Sequence, residues 1–281
     1  MINGKTKVYI TVKTYPTISK KYAELVCTAG LLEDGSWIRL YPTPFRLLKD
    51  EQKFPKYSWI EVDVEKNTSD YRKESYRPDL NSIIVHPEPK NAGKVDWDER
   101  RKAVLGKSQV FTNMQTIIDR AQSEEKMSLA IFKPARILRV EHAQDDRDWD
   151  PNKLASLKAL EQQMSLFQTE EDRAEEFRVV QKIPYRFYYV FEDDTGRESR
   201  MMIEDWEIGM LYLNCLKTSD GNENTAIEKV KQKYYDEFIK KDTYFFLGTT
   251  LRHHSTSKNP FIVIGVFYPP VPPENEQTSL F

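Results

Sequence analysis

Residues 24–41 read ELVCTAGLLEDGSWIRLY and contain the clearest fold signal in the chain. The two segments that flank Glu33–Ser36 are rich in β-branched, aliphatic and aromatic residues, which favour strands. Between them, Asp34-Gly35 is a dipeptide typical of the tight turn in a β-hairpin. The run Pro42-Thr43-Pro44 ends the second segment. The stretch therefore predicts an antiparallel hairpin.

Similar strand patterns occur before this hairpin and throughout the second half of the chain. Further strands are predicted at Lys7–Lys13, Ser58–Val64, Leu129–Phe132, Ile137–Val140, Tyr185–Phe191, Glu198–Ile203, Tyr244–Thr250 and Pro260–Phe267. Helical spacing appears between about 97 and 125, from Leu154 to Phe167, after Asp205 and from Ala226 to Lys240. The pattern predicts a β-rich α+β protein with two small OB-like barrels and a charged helical linker between them.

Composition changes along the chain suggest four regions. We expect an N-terminal OB-like unit over residues 1–140, in which Leu129–Phe132 and Ile137–Val140 return to close the barrel. Residues 141–182 form a charged linker or insertion. A second OB-like unit follows over 183–268, and a Pro-rich tail occupies 269–281.

The first half also resembles a known family. Four segments in order along the chain resemble the dual OB-fold family found near prokaryotic defence and mobile-element genes. They are Cys27-Thr28-Ala29-Gly30, Asp34-Gly35, Trp37-Ile38-Arg39 and Arg72–Tyr76. The similarity extends over most of the chain, but only the block from Cys27 to Arg39 is distinctive, and Leu40 stands where that family is expected to have proline. The resemblance implies nucleic-acid or nucleotide binding and no defined reaction.

The charge of the chain limits how it can bind nucleic acid. It has 281 residues and a formal net charge of −2, whereas proteins that hold duplex DNA by charge alone are basic. A nucleic-acid contact therefore requires a local patch or delivery by a partner. Two cysteines, no signal sequence and no membrane-length apolar run predict a cytoplasmic protein.

A five-residue pattern, Gln-x-Ser-Leu-Phe, occurs twice: at Gln163–Phe167 and at Gln277–Phe281. It resembles the motif with which bacterial replication and repair proteins bind the β sliding clamp, the processivity factor of DNA polymerase III. The resemblance implies that the glutamines contact the pocket rim and that the Leu-Phe pairs fill a hydrophobic cleft. The expected partner-binding residues are Gln277, Ser279, Leu280 and Phe281, and Gln163, Ser165, Leu166 and Phe167.

The inner copy has a second interpretation. Apolar residues recur here at steps of three and four, which indicates the buried face of an amphipathic helix. They are Leu154, Leu157, Leu160, Met164 and Phe167. In that case Phe167 belongs to a core and needs no partner.

A set of basic and aromatic residues in the first half is a candidate nucleic-acid surface. On an OB-like face, aromatic rings stack on bases and guanidiniums contact phosphates. Alternatively, the rings belong to the core of the protein, and the arginine side chains extend from that core to solvent. The candidates are Trp37, Arg39, Tyr41, Arg46, Arg72 and Arg77.

Catalytic, metal and cofactor signatures are missing from the sequence. His253-His254 with Asp205 and Glu207 lacks any metal-ligand spacing, so the histidines are interpreted as a surface loop. Gly106-Lys107-Ser108 lacks the upstream glycine of a P-loop. We expect no catalytic residues, no metal and no cofactor.

These observations predict a clamp-binding accessory protein that contacts nucleic acid, with single-stranded or clamp-delivered DNA as the expected form, in DNA replication and repair or in antiviral defence. Three alternatives remain at this level. The first is an enzyme or sensor for a nucleotide or modified base. In that case Asp205 and Glu207 would be the active residues, and the Gln-x-Ser-Leu-Phe motif would only direct the protein to the clamp. The others are a clamp inhibitor without nucleic-acid contact and a protein-interaction module.

Overall fold

The computed structural model describes residues 2–18, 24–87, 90–91, 94–164 and 179–273. Its strands are β1 Gly4–Lys13, β2 Thr17–Ile18, β3 Glu24–Leu31, β4 Trp37–Thr43, β5 Trp59–Lys66, β6 Ser75–Pro78, β7 Ile84–Val85, β8 Lys90–Asn91, β9 Lys94–Val95, β10 Val110–Phe111, β11 Leu129–Phe132, β12 Arg136–Gln144, β13 Tyr185–Glu192, β14 Glu198–Ile203, β15 Tyr244–Thr249 and β16 Phe261–Phe267. Its α-helices are α1 Trp97–Leu105, α2 Met114–Gln122, α3 Pro151–Met164, α4 Trp206–Lys217 and α5 Glu223–Lys231.

Five strands close into a first barrel, in the order β1, β3, β4, β6, β5 and back to β1. Closure is achieved by β1, because its first half pairs with β5 and its second half with β3. A register shift between Ile10 and Val12 bends β1 where it changes partner. Strands β4 and β6 are parallel, while the other neighbours are antiparallel. This is the connectivity of an OB-fold.

The second sheet repeats this connectivity. Here β11 and β12 serve together as the first strand, and they are separated at Pro134, whose missing amide hydrogen interrupts a ladder. β11 pairs with β15 and β12 with β13, while β14 runs parallel to β16 and β15 antiparallel to it. Strand β10 adds an edge to β11. The predicted β-rich α+β fold with two barrel-like units is therefore confirmed.

The strands predicted to close the first barrel lie elsewhere. Both β11 and β12 belong to the second sheet, so the first unit does not extend to residue 140. All four residues of β11 are buried. Ala130 and Phe132 face the interior of the second barrel, whereas Leu129 and Ile131 face the junction with the first. Since both faces of β11 are apolar, the strand requires apolar neighbours on both sides. The junction provides them, whereas the wall of an isolated barrel has one face in water.

One apolar cluster joins the two barrels. The outer face of β1, β3 and β4 in the first barrel lies against β11, β15 and β16 of the second. Buried members of the cluster are Tyr9, Val12, Ala29, Leu31, Tyr57, Val104, Leu129, Ile131, Phe246, Ile264 and Phe267. Burial of this many large side chains holds the barrels in a fixed relation.

Corresponding connections of the two barrels meet around this cluster. Between the first and second strands, the Tyr15 hydroxyl donates to the Gln181 carbonyl at 2.7 Å. Between the third and fourth strands, Lys56 Nζ lies 3.5 Å from Asp205 Oδ2. The connections between the fourth and fifth strands also meet, and they build the site described below.

The helices predicted in the second half form where expected. The Asp205 side chain caps α4 by accepting a hydrogen bond from the Glu207 backbone. A π-helical turn and a 3-10 turn extend α5 to Lys240, and its predicted apolar face is buried. No helix in the described ranges has the length and apolar character needed to cross a membrane.

The charged segment 141–182 lies within the second barrel, since it connects β12 to β13, and is not a linker between the barrels. Its helix α3 docks through Leu157, which is buried with Ile18 beside Leu154 and Trp149. The start of the predicted helical face is therefore packed. The predicted clamp-binding residues lie outside the part of the chain that the structure describes. In the inner copy these are the side chain of Gln163 and the residues Ser165, Leu166 and Phe167. In the terminal copy they are Gln277, Ser279, Leu280 and Phe281.

Candidate nucleic-acid interface

The connection between β5 and β6, residues 67–74, is fixed by its own polar side chains. Asn67 Oδ1 accepts hydrogen bonds from the backbone and hydroxyl of Ser69, at 3.2 and 2.7 Å. Asp70 Oδ2 accepts from Arg72 Nη2 at 2.6 Å and from Ser75 Oγ at 2.7 Å. Short polar residues of this kind stabilise turns by bonding to nearby backbone and side-chain groups. The loop is thus preorganised.

Arg72 ties this loop to the second barrel. Its side chain is buried, and Nη1 donates to the Thr249 carbonyl at 2.5 Å. Burial alone would raise the pKa of Asp70, but hydrogen bonds from Arg72 and Ser75 hold it at about 2. Arg72 and Asp70 therefore form a buried ion pair within the first loop, and Arg72 links this pair to the second barrel through the Thr249 carbonyl.

Tyr71 stands beside this ion pair with 47% of its surface exposed. Its hydroxyl lies 3.0 Å from Ser255 Oγ and 3.4 Å from the Leu251 carbonyl, both in the connection between β15 and β16, residues 250–260. Its ring centroid is 5.6 Å from that of His254, and Lys126 Nζ is 5.8 Å away. The ring is therefore held at its hydroxyl end and contacts His254 and Lys126, and about half of its surface stays open to solvent.

His254 anchors the second loop beneath Tyr71. It is buried, with Nδ1 2.8 Å from the Thr249 hydroxyl, and its Nε2 has no partner among the described residues. Burial lowers the pKa of His254, and the nearby cations Arg72, Arg39 and Lys126 lower it further, against the effect of Glu74. The histidine is consequently neutral near pH 7.

Basic residues occur on three chain segments near Tyr71. Lys73 belongs to the first loop, Arg252 and Lys258 belong to the second, and Lys126 follows α2. Within the described ranges none of these four cations forms an ion pair. By contrast, nearby Arg120 is paired with Glu125. We call the accessible side chains of Tyr71, Lys73, Lys126, Arg252 and Lys258 the loop edge.

Few acids offset this charge. Glu74 is directed inward, where it accepts hydrogen bonds from the backbone and hydroxyl of Ser128 at 3.0 Å. Residues 250–260 contain no Asp or Glu, and Glu124 is exposed next to Lys126. The loop edge is therefore locally basic although the chain as a whole is slightly acidic.

A second ionic cluster lies where the connections between the third and fourth strands meet. Lys56 Nζ is 3.0 Å from Glu207 Oε2 and 3.5 Å from Asp205 Oδ2. Lys13 Nζ donates to the Phe54 carbonyl at 3.0 Å. Burial raises the pKa of Asp205 to about 7, against the effect of Lys56, and burial lowers the pKa of Lys13 to about 8. We call Lys13, Lys56, Asp205 and Glu207 the buried ion cluster.

The outer face of β12, β13 and β14 is the part of the second barrel that corresponds to the covered face of the first. It is charged and accessible, but its cations are paired. Glu141 accepts hydrogen bonds from Arg139 and Arg200, both at 2.7 Å, and the Arg200 guanidinium lies 3.5 Å from the Tyr188 ring centroid. This surface satisfies its own charges.

Residues 110–281, which include the whole second barrel, match the sequence model of a domain of unknown function, DUF8757. The chain belongs to the DUF8757 family. Residues 4–106 match a second domain of unknown function, DUF8758, so the boundary between the two matches falls where the first barrel gives way to β10. No curated protein matches the chain.

One solved structure that aligns with the chain is titled "Structure of murine DNA binding protein bound with ds DNA". The alignment covers 96% of this chain and 98% of that one, at 9% sequence identity and a TM-score of 0.30. A TM-score at this level does not establish a shared fold, so the similarity says nothing about function.

Packing of the DUF8757 region against the first barrel buries some of the predicted nucleic-acid residues. Arg39 is only 3% exposed, and its guanidinium reaches Ser128, which directly precedes β11 of the second barrel. Its guanidinium donates to Cys27 Sγ at 3.0 Å and to the Ser128 hydroxyl at 3.1 Å. Trp37 lies 5.7 Å from Phe246, edge to face. Arg39 and Arg72 thus hold the junction together, and their burial argues against the predicted contact with nucleic acid.

The remaining predicted residues are more accessible. Tyr41 and Arg46 are half-buried near β4, and Arg77 is exposed, where it donates to Asn67 and Ser69 at 3.2 and 3.0 Å. None of the three lies on the loops that hold Tyr71. The sequence prediction missed the contribution of residues 250–260, although their basic and acid-free composition is visible in the chain.

The pairing of His253 and His254 with Asp205 and Glu207 is not formed as a metal site. The histidines lie between β15 and β16, whereas the carboxylates lie at the start of α4. Among the described residues, no three His, Cys, Asp or Glu side chains come together in a group that would hold a metal ion.

Proposed function

We propose that this protein binds nucleic acid at the loop edge and that its Gln-x-Ser-Leu-Phe segment attaches it to a sliding clamp. The observation that carries the first part is one exposed, oriented tyrosine ring on loops that also carry cations without an ion pair among the described residues. OB-folds use the loop between their fourth and fifth strands in oligonucleotide binding, and here two such loops meet. The loop edge therefore has the position and the chemistry of a nucleic-acid contact.

The two kinds of side chain serve different purposes. Stacking of a base on an aromatic side chain contributes about 1–3 kcal/mol and does not depend on base identity. Unpaired lysine and arginine side chains neutralise phosphates and release counterions, which makes binding salt-dependent. Since the net charge of the chain is −2, we expect the isolated protein to bind weakly.

The buried ion cluster does not favour the enzyme or sensor alternative. A pKa near 7 for Asp205 is typical of a functional acid. However, Asp205 is fully buried, and its carboxylate is already bonded to Lys56 and to the α4 backbone. Glu207 is 45% exposed and bonded to the same lysine. This arrangement joins the barrels and offers no open position for a substrate.

The nucleic-acid part is tested by fluorescence anisotropy with a labelled 20-nucleotide DNA at several salt concentrations. Lys73→Ala with Arg252→Ala should weaken binding and reduce the salt slope by about 0.7 for each lost phosphate contact on a single strand. The matched control is Arg139→Ala with Arg200→Ala, which removes the same charge from cations that are paired with Glu141. Equal effects of the two double variants would contradict the proposal.

The clamp part rests on the resemblance of Gln277, Ser279, Leu280 and Phe281 to the clamp-binding motif. The chain reaches this segment from a fixed point. The Pro269 carbonyl accepts from the Asp242 backbone at 3.0 Å and the Pro270 carbonyl from Arg101 at 2.7 Å. Beyond them Val271 is 54% exposed. A proline-rich arm that starts at the surface presents a peptide well.

Pull-down of the full-length protein with a purified bacterial sliding clamp tests this attachment. Deletion of Gln277–Phe281 should abolish or greatly weaken capture while the melting temperature stays unchanged. A Leu166→Ala, Phe167→Ala variant tests the inner copy, since two linked sites raise avidity when both can bind. Undiminished capture by both variants would reject the attachment.

A further inference from the structure

We infer that the loop edge recognises one unpaired nucleotide at the end of a duplex, or extruded from one, rather than a long single strand. This inference rests on the proposed nucleic-acid binding and specifies its substrate. It follows from the number of rings, the way the ring is held and the arrangement of the cations.

The loop edge offers a single stacking position. In residues 67–74, 123–128 and 250–260, all of which the structure describes, Tyr71 is the one Tyr, Phe or Trp. Proteins that track along single strands place successive bases on successive aromatic side chains. One ring accommodates one base, and a base inside a duplex has no free face for it.

The ring is also preorganised. The Tyr71 hydroxyl is held by Ser255 and Leu251, and the neighbouring Arg72 is buried between the barrels. A ring that is fixed before binding loses little conformational entropy on contact. It therefore suits an end or an extruded base, whose position is set by the adjoining duplex.

The cations of the loop edge come from three chain segments that meet at this ring. Lys73 follows Tyr71 by two residues, and Arg252 follows Leu251, whose carbonyl meets the Tyr71 hydroxyl. Lys126 lies 5.8 Å from the ring, and the Lys258 carbonyl accepts from Gln122 at the end of α2. Cations placed around one stacking position match phosphates of the two strands that diverge from a duplex end.

The neighbouring strand surface does not extend a single-strand path. The guanidiniums of Arg139 and Arg200 on the outer face of β12–β14 are bonded to Glu141, and the Tyr188 ring is covered by Arg200. Among the large hydrophobic side chains that are exposed in the described residues, Tyr71 at the loop edge is the one aromatic.

Anisotropy with the full-length protein and four labelled DNAs tests the inference. The DNAs are a blunt 20-base-pair duplex, the same duplex with a one-nucleotide thymine overhang, the same duplex with an abasic overhang, and a 20-nucleotide single strand. The thymine overhang should bind roughly tenfold more tightly than the blunt and abasic duplexes, as expected for one stacked base. Tyr71→Ala should remove this difference, whereas Tyr71→Phe should retain most of it.

Other outcomes separate this inference from the function on which it rests. If the single strand binds more tightly than the overhang duplex, nucleic-acid binding stands and the end-specific inference fails. Equal binding of thymine and abasic overhangs would remove the stacking role of Tyr71. Failure of all four DNAs to bind at low salt would overturn both proposals.

Discussion

Both ends of the junction between the barrels contain charged side chains, but they use them differently. In the buried ion cluster, each carboxylate is bonded to Lys56, and Asp205 is shielded from water. At the loop edge, the ion pair of Arg72 and Asp70 is buried underneath, while a ring and several cations remain at the surface. A charge that is satisfied within the fold holds the barrels together, and a charge left without a partner is available to a ligand.

The two ends also respond to protons in opposite directions. Burial raises the pKa of Asp205, so the folded state retains a proton there that the unfolded chain releases. Burial and nearby cations lower the pKa of His254, so the folded state resists a proton that the unfolded chain accepts. The difference arises because an acid and a base are both disfavoured in their charged forms inside the junction.

Loss of Arg72 is the change expected to affect stability most. Arg72→Ala leaves the Asp70 carboxylate buried without its cation and removes the bond to the Thr249 carbonyl. Breaking a buried ion pair in this way costs about 3–5 kcal/mol. Urea denaturation of the variant and of the wild-type protein measures the difference. Arg72→Lys should recover little, because an ammonium cannot reproduce the forked contact.

The corresponding change in the buried ion cluster should cost less. Asp205→Ala removes the cap of α4 and one partner of Lys56, but Glu207 remains as the second partner. We expect a loss of roughly 1–3 kcal/mol in the free energy of unfolding. Glu207→Gln is the control on the exposed side and should cost under about 1 kcal/mol. If Asp205→Ala destabilised more than Arg72→Ala, the assignment of the stronger link to the loop edge would be wrong.

Local sequence signals predicted much of the fold. The turn at Asp34-Gly35, the alternating strands and the Asp205 cap all depend on neighbouring residues, and all form as expected. The membership of β11 and β12 was not predictable in the same way. The pairing of β11 with β15 and of β12 with β13 joins segments far apart in the chain. It depends on which faces are covered in the folded protein, and periodicity carries no such information.

The same limit applies to Arg39 and Arg72, two of the predicted nucleic-acid residues, which the structure buries. Arg39 in a strand next to Trp37 has the pattern of an exposed binding face, and only the packing of the second barrel buries it. Tyr71 and Lys73 adjoin the candidate residue Arg72 in the sequence. Their partners in residues 250–260 lie about 180 positions away in the chain. A search for short basic segments without acids would have found them.

Stability measured against pH separates the two ends of the junction. For Asp205, whose folded pKa exceeds its unfolded value, the contribution is present at low pH and is lost as the pH rises through about 7. The charged groups around it are Lys56, Glu207 and Lys13. For His254, whose folded pKa lies below 6.5, stability is lost as the pH falls through that lowered value. Its charged neighbours are Arg72, Glu74, Arg39 and Lys126.

Asp205→Asn should therefore remove a fall in stability between pH 3.8 and about 7, and His254→Asn should remove a rise in stability just below pH 6.5. Each change in slope is at most about 1.4 kcal/mol per pH unit, the value for one proton. Denaturation midpoints from pH 5 to 8 measure both. Shifts of the same sign for the two variants would show that the two ends do not titrate in opposite directions.

The smallest effect on stability should come from the ring at the loop edge. Tyr71→Phe removes the hydroxyl contacts to Ser255 and Leu251, both of which are exposed and open to replacement by water. A net loss of about 0.5–1 kcal/mol is expected, the usual contribution of a single hydrogen bond. DNA binding should weaken slightly, because the ring keeps its stacking surface but loses the contact that orients it.

Tyr71→Ala completes this comparison. It should destabilise the fold by about as much as Tyr71→Phe or slightly more, because a half-exposed ring contributes little to a core. Its effect on DNA binding should be much larger, since the stacking surface itself is lost. Urea denaturation and anisotropy on both variants provide the two measurements. If Tyr71→Ala lowered stability as much as Arg72→Ala and left binding unchanged, Tyr71 would be a structural member of the junction, and the loop edge would lose its role.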